Sequence, residues 1–315
     1  MFNYGRLEVK SIASENGFHV NSTEKVLRLC EVLNFINGSL IGDYLVLKGG
    51  TAINFCLLGL KRLSIDIDFD FSLDVSKEEM FEKREIIKNE IVSYMTNNGY
   101  KLNNRSKYVH SLDSFVFNYS TTAGSTDALK IEINYSDRIH VLEFKKETIS
   151  LKLGEKIDVN RLANEELIGS KINALISRTT PRDVYDVYNI LHDDICDLGL
   201  TKKIAIFYLL VSRDIPINFQ ELIDNCISRI SSMNYYILKK TVIPLLNRKE
   251  NLDIEEMKSY VSENIKRIFE LTDEEKLVIE KFNNKEFDQK ALFGDLVKKD
   301  LSKHPLIIWK YSLIK

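Results

Sequence analysis

An α+β fold is expected, with a mixed sheet and its flanking helices first and a C-terminal helical bundle after them. Three observations predict it. Tyr44-Leu45-Val46-Leu47 is a short apolar run ended by two glycines, which suits a buried strand and a turn. Ile65-Asp66-Ile67-Asp68-Phe69-Asp70-Phe71 alternates apolar and acidic residues, which suits a strand with one face in the core. Beyond Val159 the apolar spacing becomes helical almost throughout. A chain of 315 residues is long enough for two domains. With four prolines and no low-complexity linker or internal repeat, the border is read from the change of pattern. We place it near residue 195, giving an α+β domain over 1–195 and a helical domain over 196–315.

Taken in order, Thr23 is expected to cap a helix running through Val26, Leu29, Leu33 and Ile36. A strand over residues 44–47 precedes the Gly49-Gly50-Thr51 turn, and a helix is expected to start near Ala52. The alternating strand over 65–71 follows, then an amphipathic helix over 77–97. Strands are expected over 115–120 and 128–135, joined by a hairpin loop over 121–125. Helices are then expected over 164–177, 182–191, 202–211, 218–228, 254–271 and 273–282.

Bulk composition excludes several classes. Hydrophobic residues at 44% and charged residues at 29% describe an ordinary globular mixture. A net charge of −2 gives no global attraction to a polyanion, so any nucleic-acid surface must be a local patch. Cys30, Cys56, Cys196 and Cys226 are scattered and form no C-x-x-C pair, so buried reduced thiols are expected. The N-terminus runs into charged sequence with no apolar signal region, and no uncharged apolar stretch approaches the ~20 residues of a membrane span. The longest, from Ile204 to Val211, is far too short, and a cytoplasmic location with no membrane partner is expected. The five histidines form no H-E-x-x-H zinc motif, and there is no G-x-S-x-G nucleophile elbow.

The chemistry is concentrated at the acidic strand. Asp66 and Asp68 point from the same strand face, roughly 6–7 Å apart at the backbone. Like charges so placed repel, and a divalent cation held by both reverses that penalty; oxygen ligands suit magnesium, or manganese. Asp70 continues the row as a further ligand or a solvated neighbour. An exposed edge strand with a polar outer face is the competing reading. Gly49-Gly50-Thr51 lies between a strand and a helix, where adjacent glycines let the backbone approach a phosphate and amides at a helix start favour an anion. It is not a Walker loop, and a plain strand-to-helix turn competes with the phosphate reading. In Lys130-Ile131-Glu132-Ile133-Asn134 the isoleucines face one way and Glu132 the other. A strand pairing beside the Asp66 strand brings Glu132 to the same cations; otherwise it is a surface glutamate.

A second block begins at Lys171. Lys171, Ala174 and Arg178 share one helix face, and a lysine there can neutralise triphosphate charge. Arg178 suits a positioning role. Pro181 can begin the next helix, with Asp183 and Asp186 three residues apart on it; Asp183 can cap the helix start or hold Arg182 or Arg178. A salt-bridged helix pair without catalytic meaning is the alternative. Residues 281–315 hold eight lysines against four acids, a local net charge of +4, interleaved with Phe282, Phe287, Phe293, Trp309 and Tyr311. This can be a patch that tracks a phosphate backbone, or a solvated helix over core aromatics.

Two strings carry a resemblance. Lys48-Gly49-Gly50-Thr51-Ala52 with Arg62-Leu63-Ser64-Ile65-Asp66-Ile67-Asp68-Phe69 resembles the G-G-T-A…R-x-S-x-D-[IL]-D-F pattern of the AbiEii/AbiGii toxin family of nucleotidyltransferases. Lys171 to Arg178 with Arg182-Asp183-Val184-Tyr185-Asp186 is similar to that family's K-x-x-A-x-x-x-R…R-D-x-x-D segment. The resemblance implies a nucleotidyltransferase-like mixed sheet and transfer of a nucleoside monophosphate from an NTP to an acceptor. For toxins of this kind the implied acceptor is the 3′ end of tRNA, whose modification stops translation. It further implies that Asp66 and Asp68 hold magnesium, with Glu132 as a third candidate ligand. Lys48, Gly49, Gly50, Thr51, Arg62 and Ser64 would bind the nucleotide, and Lys171 its phosphate. Asp186 would help activate the attacking hydroxyl or bind the incoming substrate, with Arg178, Arg182 and Asp183 in support. A cognate antitoxin encoded nearby is implied as well, whether or not the two proteins bind directly. A nucleotidyltransferase acting on an antibiotic-like small molecule would use the same groups with a different acceptor pocket. A non-catalytic nucleotide-binding module of the same fold would be marked by loss of Asp66, Asp68 or Lys171, and all three are present.

Overall fold

The computed structural model describes residues 2–313 and divides by compactness into two units. The first comprises Met1–His140, Phe144–Leu162 and Pro244–Glu250; the second comprises Val141–Glu143, Ala163–Ile243 and Asn251–Lys315. The main division therefore falls at Leu162, earlier than the expected border near residue 195.

The first unit opens on helices α1 (Arg6–Glu15) and α2 (Val20–Asn37). His19 is the N-cap of α2, so Thr23 is a buried residue inside the helix and not its cap. The reason lies one residue on. The Glu24 carboxylate accepts from the Thr122 amide and hydroxyl and from the Arg28 guanidinium, which holds the first turn helical. After a 3-10 turn at Leu40–Asp43, strand β1 (Leu45–Lys48) runs straight into a short helix α3 (Gly49–Ala52), which widens into a π turn at Ile53–Leu57. The helix thus starts at Gly49, ahead of the expected Ala52. Strand β2 (Asp66–Phe71), helix α4 (Lys77–Asn97) and strands β3 (Lys101–Leu102), β4 (Lys107–Val109), β5 (Leu112–Ser120) and β6 (Thr126–Asn134) follow. Strands β7 (Lys145–Ser150) and β8 (Lys156–Arg161) complete the unit's sheet.

The sheet order is β3-β5-β6-β2-β1-β8-β7, with β4 also paired to β5. It is mixed: β2 runs parallel to β6 and β1 parallel to β8, while the remaining pairs are antiparallel. β2 is consequently an interior strand, hydrogen-bonded on both edges, and an exposed edge cannot explain its carboxylates. Ile67, Phe69 and Phe71 are fully buried, as strict alternation requires.

The second unit is helical: α5 (Asn164–Arg178), α6 (Pro181–His192), α7 (Leu198–Ser212), α8 (Phe219–Ser231), α9 (Tyr235–Thr241), α10 (Ile254–Ile268), α11 (Asp273–Asn283), α12 (Gln289–Phe293) and α13 (Pro305–Leu313). The apolar run from Ile204 to Val211 is buried all round, which makes α7 the central helix of this unit. α5 lies against it at Gly169, where a Cβ would sit 2.8 Å from Ile204 Cγ2. That contact explains the early border, because α5 packs with α7, and α6 packs with α5 and α10. Glu166 adds a buried anchor: its carboxylate accepts from the Val141 and Leu142 amides, each at 2.8 Å, and from the Tyr208 hydroxyl at 2.6 Å. No helix among the described residues is long and apolar enough to cross a membrane.

Candidate functional site

The pairing register assembles a polar row across the sheet. Lys48 on β1 stands opposite Asp68 on β2, and Asp68 stands opposite Glu132 on β6. One step along, Val46, Asp70 and Asn134 are paired in the same way. Asp66 and Asp68 are half-buried, whereas Asp70 is buried. The acidic row is therefore divided by burial. Asp70 is occupied by its neighbours: Lys48 Nζ lies 2.5 Å from Oδ1, Asn134 Nδ2 donates to Oδ1 at 3.0 Å, and His140 Nε2 lies 3.3 Å from Oδ2. Burial raises the Asp70 carboxyl, but Lys48 and His140 outweigh it and hold the group below the usual carboxylate range. For Lys48 burial works the other way. Asp70, Asp137 and Asp68 overcome it, and the ammonium is held well above the ordinary lysine range. Asp137 Oδ2 is 3.8 Å from Lys48 Nζ, and burial next to Asp70 pushes its own carboxyl up.

The glycine turn is built against Asp68. Gly49 has φ +69°, and a Cβ there would meet Asp68 Oδ2 at 2.5 Å. Any other residue at position 49 is thus both strained and obstructed. A Cβ at Gly50 would meet Arg62 Nη2 at 2.9 Å and Ser64 Oγ at 3.3 Å. Arg62 is only 2% exposed; it underlies the turn and donates to the Leu63 carbonyl at 3.0 Å. The buried Thr51 hydroxyl bonds Ser64 Oγ at 2.9 Å and donates to the Asp66 carbonyl, so the helix start is tied to the acidic strand. Lys48, Gly49, Gly50, Thr51, Arg62, Ser64, Asp66 and Asp68 therefore form one continuous cluster. Gly49→Ala is expected to lower nucleotidyl transfer by about a hundredfold while costing roughly 1–2 kcal/mol of stability from the left-handed backbone. Initial rates and a urea titration of the same preparation would check it, and an unchanged rate would refute it.

Glu132 stands next to Asp68, and its carboxylate is 2.7 Å from Lys130 Nζ. Among the described residues, no three His, Cys, Asp or Glu side chains converge as a cage for a metal ion. The donor set still suits magnesium, which protein sites often bind through one or two carboxylates, with water and substrate phosphates filling the remaining positions.

The second block belongs to the helical unit. Lys171 on α5 is 5% exposed, with its ammonium 3.1 Å from Asp183 Oδ1 and 2.9 Å from Asp186 Oδ2 on α6. Arg178 donates twice to Asp183, at 2.8 and 3.1 Å, and the Thr180 hydroxyl donates to it at 2.6 Å. Thr180, not Asp183, is the N-cap of α6, with Pro181 in the first turn. Burial raises the Asp183 carboxyl, but Lys171 and Arg178 more than reverse this and hold it far below the usual range. Arg182 is half-buried at the start of α6.

In the lysine-rich stretch Lys285, Lys290, Lys298, Lys299 and Lys303 are exposed, while several of its aromatic rings turn inward. Phe282 and Phe293 are fully buried, and Phe287 packs on Phe207 and Phe282. Lys281 pairs with Asp288 at 2.7 Å, and Lys310 is buried with its ammonium on the Arg213 carbonyl. Trp309 is exposed, and Lys315 lies outside the described residues. The aromatic residues that the spacing interleaves with lysine are thus mainly core. Asp137, His140, Thr180 and Glu166 were not visible as site or anchor residues. Only Thr180 carried a signal, since Thr-Pro-x-Asp is a capping pattern.

No curated protein matches the chain by sequence. Among solved structures it is similar to the MenT4 nucleotidyltransferase toxin from Mycobacterium tuberculosis H37Rv, at a TM-score of 0.64 and 13% identity over 99% of each chain. The model of the family described as nucleotidyl transferase AbiEii toxin, type IV toxin–antitoxin system, matches residues 34–289, which include the glycine turn, the acidic strand and the Lys171–Asp186 block. The chain belongs to this family, and it is a nucleotidyltransferase of the AbiEii toxin type.

Proposed function

We propose that this enzyme moves a nucleoside monophosphate from an NTP to the 3′ end of an RNA, with tRNA as the acceptor, and so blocks translation. The observation that carries the reading is the seating of Asp68 against Gly49, which sets a carboxylate pair beside a backbone turn shaped for phosphate. Asp66 and Asp68 are the residues to hold magnesium or manganese. When bound, the ion would neutralise triphosphate charge and assist departure of pyrophosphate. Glu132 can join them, because its partner Lys130 is a half-exposed lysine and such pairs are weak.

The remaining roles fall to the chain's own groups. The amides of Gly49, Gly50 and Thr51, at the start of the helix, are assigned the triphosphate. Arg62 and Ser64 act through that turn by holding its backbone from beneath. Lys48, kept charged by Asp70 and Asp137, contributes a fixed positive charge next to Asp68. Lys171 is assigned a phosphate of the substrate. Asp183 and Asp186 orient its ammonium, and Arg178, with Arg182 nearby, steadies Asp183. A cognate antitoxin encoded beside the gene follows from the toxin–antitoxin family.

Incubation with each α-labelled NTP and total tRNA, beside a panel of hydroxyl-bearing antibiotics, tests the acceptor. Label is expected in tRNA, confined to its 3′ end, and to require the divalent cation. Label in a small molecule with none in RNA would overturn the reading.

A further inference from the structure

Helix α9 carries an exposed arrangement that neither the fold nor the site accounts for. Tyr235 and Tyr236 are 58% and 68% exposed, which is unusual for adjacent tyrosines on a regular helix. Lys239 and Lys240 follow each of them by one turn and are also exposed. Residues four apart on a helix are neighbours, so each lysine stands beside a tyrosine in two parallel columns. Leu238 and Val242, three and seven residues on from Tyr235, are fully buried and anchor the flank of the segment beside the Tyr235 column, and the Asn234 side chain caps it by accepting from the Tyr236 amide. The outward face is thus set by packing.

Charge singles out one kind of partner. From residue 225 to 243 the chain has no acidic residue, and its charged residues are Arg229, Lys239 and Lys240. Arg229 is engaged, donating to the Ile176 carbonyl, which leaves the two lysines as the charged side chains of α9 itself. The lysine-rich stretch 281–315 differs in that it carries acidic residues among its exposed lysines, and Phe282 and Phe293 are core. Aromatic rings that accept bases and adjacent cations that accept phosphates are the two elements of sequence-tolerant binding to single-stranded nucleic acid. We propose that the α9 face binds a single-stranded RNA segment, with Tyr235 and Tyr236 as stacking surfaces and Lys239 and Lys240 as phosphate contacts. It rests on the RNA acceptor proposed above and names a surface that holds it.

The test uses the full chain, a fluorescein-labelled single-stranded RNA 12-mer of mixed sequence, and anisotropy from low to moderate salt. Tyr235→Ser with Tyr236→Ser is expected to weaken binding at least tenfold. Lys239→Ala with Lys240→Ala is expected to do the same at low salt and to flatten the salt slope by about 1.4, at ~0.7 per phosphate contact. All four positions are exposed, so the variants should melt with the parent. Equal binding by parent and variants overturns the proposal. So does absence of RNA binding by the parent, and a shift of the tyrosine variant from dimer to monomer in sedimentation would then identify a protein contact. Label transfer to tRNA is measured separately. If transfer occurs and α9 variants bind normally, only the α9 assignment fails; if no label enters RNA while binding depends on α9, the acceptor reading fails and the surface stands.

Discussion

Asp68→Asn is expected to lower nucleotidyl transfer by about a thousandfold with little change in stability. Asparagine has the shape of aspartate, so the close approach of Gly49 to this side chain survives the exchange. What changes is charge. One of the two half-buried carboxylates assigned to the cation becomes a neutral amide, and Asp66 alone must then hold the ion beside a triphosphate. Removing a single preorganised electrostatic contact in an active site typically lowers the rate by ~10²–10³, and loss of a metal ligand belongs at the upper end. A thousandfold corresponds to about 4 kcal/mol of transition-state stabilisation. Stability is expected to move by less than about 1 kcal/mol, because the exchange also relieves repulsion with Asp66 and Asp70. Single-turnover rates with saturating NTP, with a melting curve of the same sample, separate the two quantities. Activity within tenfold of the parent would remove Asp68 from the chemistry.

Much of this arrangement was legible in the sequence because it rests on local pattern. The alternation through residues 65–71 fixed a strand with its carboxylates on one face, and the doublet Gly49-Gly50 marked the turn. Glu132 could be given a place beside Asp68 only on condition that two strands paired, and the parallel register of β2 with β6 supplies it. Long-range effects stayed hidden. Nothing in the spacing of Asp137 or His140 says that they close on Asp70 and Lys48, since such a meeting depends on how a loop returns to the sheet. The same blindness misplaced the border near residue 195, because affiliation of α5 with α7 is decided at Gly169 by packing across the unit. The lysine-rich stretch stayed open between two readings for a related reason. Composition counts charges and rings, but only the fold shows that Phe282 and Phe293 point inward. Tyr235 and Tyr236 lie in no sequence motif, and it is their exposure that makes them informative.

Lys171→Met is expected to destabilise the helical unit by about 3–5 kcal/mol, lowering its melting temperature by roughly 10 °C. Methionine nearly matches the length of the side chain, so the loss is electrostatic and not a matter of volume. Asp183 and Asp186 are fully buried and lie 3.1 and 2.9 Å from this ammonium. Removing one partner of a buried ion pair leaves the other charge desolvated and undercompensated, which costs more than removing both. Lys171→Met combined with Asp186→Asn should therefore be more stable than Lys171→Met alone, a sign reversal that simple loss of contacts would not give. The pH dependence follows from Asp183, whose carboxyl Lys171 and Arg178 hold far below the usual range. A depressed carboxylate contributes stability that is fully present above its unfolded pKa of about 3.9 and is lost as pH falls toward its folded value. In Lys171→Met much of that depression disappears, so the stability gap to the parent should be full at neutral pH and narrow as pH falls below about 4. Urea titrations of parent, single and double variants at about pH 7 and about pH 3 would resolve both effects. An equal gap at the two pH values, or a double variant weaker than the single, would show that the triad of Lys171, Asp183 and Asp186 is not the coupled unit its geometry describes.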